Sequence, residues 1–110
     1  MIRFDDVIGL WREGQRRLAE ADPVDRPALE RVTEEIVTAL RRRVGGTFTT
    51  EELARYYGAH GTDWCFDIAT RVAPNNPAAW DLTTVVGAAF ARYVREASDY
   101  AGGARIVRDD

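Results

Sequence analysis

At 110 residues with 45% hydrophobic and 30% charged side chains, the chain has the size and composition of one self-folding domain and lies far from disordered sequences. A net charge of −3 excludes an overall basic footprint for phosphate backbones, and one cysteine excludes an internal disulfide. The longest charge-free stretches, such as Leu82 to Ala91, are too short for a bilayer, and no basic start runs into an apolar core and cleavage site, which predicts a cytoplasmic protein with no membrane span.

All fifteen basic residues are arginine, and alanine occurs sixteen times, the mark of codon bias in a GC-rich bacterial genome. Asp5 to Ala21 reads as a first helix. Acidic residues stand in its opening turn, where the dipole favours them, and Phe4, Val7, Ile8, Trp11 and Leu18 give it an apolar side, while Gly9 and Gly14 weaken it. The segment ADPVDRP interrupts the pattern, and Pro27 suits the first position of a second helix, where a missing N–H costs nothing. From Pro27 to Val44 the apolar positions Leu29, Val32, Ile36, Val37, Leu40 and Val44 recur at three and four, and Gly45-Gly46 supplies a stop. The short break predicts an antiparallel helical hairpin.

A third start lies in FTTEEL, where Thr49 caps, Glu52 reaches back and Phe48 packs on Leu53. This predicts a helix from Thr50, a turn bracketed by Gly58 and Gly61, and another helix capped by Thr62 or Asp63 and running to about Ala73, where Pro74 and Pro77 end it. In PNNPAAWD, Asn76 is a cap with Pro77 at the first helical position, and Asp81 is an alternative start. The seam Val86, Phe90, Tyr93, Ala97 and Tyr100 then predicts a long helix ending near Ala101, although the β-branched run Thr83 to Val86 competes as a short strand. Gly87 and Ala91 give this helix a second, small-residue face and place it between two others. The fold expected is all-α: a single helical domain over 1–103 with four to five helices, comprising the N-terminal hairpin, a short bihelical unit over 50–73 and the long C-terminal helix. Residues 104–110 form a tail or a short extended segment.

AHGTDWCFD concentrates the chain's only histidine and cysteine with a tryptophan and two aspartates. Cys65 and His60 are the weak catalytic candidates, since a thiol needs a base to become a nucleophile and the first turn of a helix would assist it, but no nucleophile motif surrounds them. Buried packing is the expected role of Cys65 and an exposed turn that of His60. His60, Asp63 and Asp67 form the weak metal candidate, although both aspartates serve a helix without an ion. No cofactor motif is present and no cofactor is expected.

TEELARYYGAHGTDWCFDIA resembles a helix-turn-helix in outline. Its second helix presents two aspartates and two aromatics and has no base-reading donor until Arg71, which disfavours duplex recognition through it. Arg41, Arg42 and Arg43, in the last turn of the second helix, suit a helix terminus and are the alternative nucleic-acid contact. Five aromatics, Tyr56, Tyr57, Trp64, Phe66 and Trp80, crowd the turns of the second half beside Arg55 and Arg71. Trp64 and Ile68 share one helix face and Phe66 points away from it, so one neighbour cannot cover all of them. Aromatics with arginine are the composition of a protein interface, which predicts a small non-catalytic interaction or regulatory module whose partner is another protein. A helix-turn-helix-like DNA-binding regulator is the alternative, and a Cys/His-dependent enzyme the second. The hairpin's apolar stripe also makes the chain a candidate homo-oligomer wherever the domain fails to cover it.

Overall fold

The structure, a computed structural model, describes residues 4–44, 47–49, 52–53, 55–57, 63–99 and 105–107. In chain order these form α1 (Phe4–Ala19), α2 (Arg26–Val44), β1 (Thr47–Thr49), helical residues 52–53 and 55–57, α3 (Asp63–Val72), a 3₁₀ turn at Pro77–Trp80, α4 (Leu82–Asp99) and β2 (Arg105–Val107). The all-α expectation holds. Among the described residues, β1 also pairs with β2 as two short parallel strands, Phe48 opposite Ile106.

α1 stops at Ala19 rather than Ala21 because Asp22 turns the chain: its carboxylate accepts the Val24 N–H at 2.9 Å, and its carbonyl accepts the N–H of Asp25 and of Arg26. The Arg26 side chain then donates to the carbonyls of Ala19 at 2.6 Å and Ala21 at 3.2 Å, covering acceptors that the end of α1 leaves open. α2 follows, and the stripe read from the sequence is its buried face: Leu29, Val32, Ile36, Val37 and Leu40 are all in the core. Thr33 is buried among them with its hydroxyl donating to the Leu29 carbonyl at 2.8 Å, so no donor is left open.

Both starts expected before the last helix are used. Asn76 accepts the Ala78 N–H with its side chain at 3.2 Å and opens the 3₁₀ turn, with Pro77 in first position. Asp81 then caps α4, one carboxylate oxygen accepting the Thr83 N–H at 3.1 Å and the other the Thr84 hydroxyl at 2.9 Å. That cap, with Thr84, Val85 and Val86 all buried, carries the β-branched run into helix against its local preference. α4 ends at Asp99.

α4 lies between α1 and α2. Along α1, Trp11 stacks on Phe90 with centroids 5.3 Å apart, Gly14 meets Gly87 and Ala88, and Arg17 reaches Asp81, so these helices run antiparallel. Along α2, Glu34 pairs with Arg92 and Arg41 with Glu96, so those two run parallel. α1 and α2 are therefore antiparallel, as the hairpin requires, but α1 buries its face mainly on α4. Gly14 makes that possible: a Cβ built there would stand 2.7 Å from the Ala88 nitrogen and the Gly87 Cα, and one on Gly87 would stand 2.7 Å from the Leu10 carbonyl oxygen. Two glycines facing each other let the backbones touch.

The core is completed by Leu53, by Cys65, Ile68 and Ala69 of α3, and by Val85, Val86, Ala89, Phe90 and Tyr93 of α4. Among the described residues no helix is long and apolar enough to cross a membrane.

Candidate interaction surface

α3 begins at Asp63, where a carboxylate favours the helix N-terminus, and ends at Val72 with Arg71 in its last turn. Cys65, Ile68 and Ala69 turn inward and are buried, while Asp63, Phe66, Asp67 and Arg71 are exposed. At about 100° per residue, Phe66 lies roughly 105° from the centre of the buried stripe, at its edge beside Ala69; Asp63 and Asp67 occupy the face opposite the stripe, and Arg71 is roughly 140° from Phe66.

The five crowded aromatics separate into three settings. Tyr57 belongs to the core: it meets Trp11 edge-on at 6.2 Å and Phe90 at 5.3 Å, and burial, helped by the nearby Cys65 sulfur, pushes its phenol pKa up. Trp64 is half-buried and covered by a guanidinium, the Arg43 carbon lying 4.5 Å from its ring centroid. Phe66 stands out, 44% exposed with its edge-to-face partner Trp80 at 6.2 Å and 76°. Trp80 is fixed in turn by its indole N–H, which donates to the Ala73 carbonyl at 2.8 Å. Tyr56 is half-buried against the core and Arg55 is exposed. The aromatics left towards solvent are thus a Phe66–Trp80 pair beside the exposed Asp63 and Asp67, and Arg71 lies on a different side of α3 from Phe66. The pairing of Phe66 with Trp80 carries no local signal, because it depends on the chain reversal at 73–76.

Cys65 is fully buried, and burial pushes its thiol up to about 12, the larger effect against the opposing charge of Arg43. A thiol so placed stays protonated at neutral pH, whereas a nucleophile needs the thiolate. His60, its proposed base and the proposed imidazole ligand, lies outside the described residues, as do the Thr50 start, the turn glycines and the Thr62 cap. Asp63 and Asp67 are both exposed, and among the described residues no group of three His, Cys, Asp or Glu side chains is placed to hold a metal.

The arginine cluster closing α2 is exposed, but two members are engaged: Arg41 donates to both carboxylate oxygens of Glu96 at 2.9 and 3.1 Å, and Arg43 lies over Trp64. The second helix of the helix-turn-helix outline turns Asp63, Asp67 and Phe66 to solvent, which opposes phosphate contact along that face. The apolar stripe of α2, Leu29, Val32, Ile36, Val37 and Leu40, is covered within the chain. No family model matches this chain, and no curated protein or solved structure is detectably similar to it.

Proposed function

We propose that the protein is a small, non-catalytic interaction module of the bacterial cytoplasm that docks one partner protein on the outer face of α3. The observation that carries this reading is Phe66, a large apolar ring left 44% exposed yet held against an anchored Trp80. A pre-positioned aromatic loses little conformational freedom when covered, and burying the rest of it contributes roughly 1 to 2 kcal/mol, the role aromatic anchors play in interfaces. Asp63 and Asp67 beside it select a partner segment that places an apolar side chain next to basic residues.

The test compares capture by the tagged wild-type chain, Phe66→Ser and Leu10→Ser from nuclease-treated lysate of the native host. Leu10 is 45% exposed on α1 and serves as a matched control. The expected result is one protein retained in near-stoichiometric amount by wild type and Leu10→Ser and lost with Phe66→Ser, whose unfolding midpoint stays unchanged. Equal retention by all three, or recovery of nucleic acid alone when nuclease is omitted, would overturn the reading.

A further inference from the structure

The face of the bundle opposite in chemistry to α3 is a cleft of ≈ 340 Å³ between α1, α2 and α4, lined by Gln15, Arg26, Glu30, Arg92 and Arg95 together with the apolar stem of Leu18. Its walls carry three guanidinium groups and one carboxylate, and of the three Arg92 has its charge answered from beside the cleft by Glu34 and Glu96. The three arginines differ in how much of their donor capacity is used. Arg92 is held between Glu34 at 2.6 Å and Glu96 at 3.3 Å. Arg26 is tied through its Nη2 to the carbonyls of Ala19 and Ala21, while its Nε is buried without a hydrogen-bond partner. Arg95 is exposed and, among the described residues, has neither an ion pair nor a hydrogen bond.

We propose that this cleft binds a small organic anion, its phosphate or carboxylate group held by Arg26 and Arg95 and its body lying along Leu18 and Arg92. The Nε of Arg26 is enclosed by the fold, so an anion meets the outer guanidinium nitrogens, of which only Nη2 is engaged among the described residues, and an anionic oxygen is the acceptor that pairs best with them. The planar fork of arginine matches carboxylate and phosphate oxygens, and the volume lies at the lower end of small-molecule sites, which excludes a polymer or a large cofactor. Glu30 opposes the same anion, so affinity is set by arginines partly offset by one carboxylate.

Titration of the arginine Nε–H resonances in a ¹H–¹⁵N spectrum tests this, with glucose 6-phosphate and citrate as the phosphate and carboxylate probes. Saturating shifts at Arg26 and Arg95 with one probe are expected at a dissociation constant below about 1 mM. That probe identifies the class of anion. Arg95→Met, which disturbs no contact within the described residues, is expected to weaken binding at least about fivefold, and Glu30→Gln to tighten it by about two- to fivefold. Arg12→Met, on an exposed arginine outside the cleft, leaves the affinity unchanged. Absence of a saturating shift with either probe, or weakening by Arg12→Met equal to that by Arg95→Met, would overturn the proposal.

Discussion

α4 meets its two long neighbours in different ways. Against α1 it offers Gly87, and the two backbones touch around Gly14 with Trp11 stacked on Phe90 beside them. Against α2 it meets an aliphatic stripe, with the Glu34–Arg92 and Arg41–Glu96 pairs at the rim. The first contact has no slack, because the atoms that would move are main chain. The second is made of side chains, which relax and lose energy by degrees. One helix therefore carries both an intolerant interface and a forgiving one.

The largest effect is expected where the backbones meet. Gly14→Leu drives a branched side chain into Gly87 and Ala88, and a loss of more than about 4 kcal/mol is expected, enough to abolish a cooperative urea transition in a domain of ordinary stability. Gly14→Ala, which adds one carbon 2.7 Å from main-chain atoms, is expected to cost about 1 to 3 kcal/mol despite alanine's better helix propensity. A Gly14→Ala protein as stable as wild type would show that α1 and α4 are not in backbone contact.

Next in size is the aliphatic side. Ile36 is fully buried, and Ile36→Ala is expected to cost about 2 to 5 kcal/mol, the spread depending on how far the neighbours close the cavity. Unlike Gly14→Leu, it should leave a cooperative transition with an unchanged dependence on urea. Asp81→Ala removes the acceptor for the Thr83 N–H and the Thr84 hydroxyl together, and about 1 to 2 kcal/mol is expected from the same titration.

The same contrast governs what could be read in the sequence. The α2 stripe was legible because burial against side chains needs only a period, and the caps Asn76 and Asp81 because a cap acts on residues two or three positions away. Gly87 was legible as a small-residue face, with α4 correctly placed between two helices. Gly14 was not: read alone, a glycine inside a helix is a loss of propensity, and only the identity of the facing residue turns it into a contact. The same limit hid the covering of Trp64 by Arg43, the seat of Phe66 on Trp80 and the pairing of β1 with β2, each of which joins segments that only the chain's path brings together. On α3 the separation of Phe66 from Trp64 was legible from helical spacing, but the division of the aromatics among core, cation and solvent was not.

Gly9 sharpens the comparison through its sign. It lies on the same helix as Gly14, yet nothing stands within 4 Å of a Cβ built on it. Gly9→Ala is therefore expected to stabilise the protein by about 0.5 to 1 kcal/mol, the propensity difference with no steric charge against it. Opposite signs for the same substitution one and a half turns apart, read as urea midpoints, would assign the intolerance to contact with α4 rather than to α1 itself.

The smallest effect belongs to the rim of the α2 contact. Arg92 and Glu34 approach to 2.6 Å, but their side chains remain 38% and 45% exposed, so water screens the pair and holding two long side chains offsets much of the attraction. A double-mutant cycle on Glu34→Ala and Arg92→Ala is expected to give a coupling of about 0.2 to 1 kcal/mol, shrinking as salt rises toward 1 M. Arg92 also reaches Glu96, which Arg41 shares, so the cycle is best repeated with Glu96→Gln in both backgrounds. A coupling above about 2 kcal/mol that resists salt would mean that the charges, and not the aliphatic stripe beneath them, hold α2 against α4.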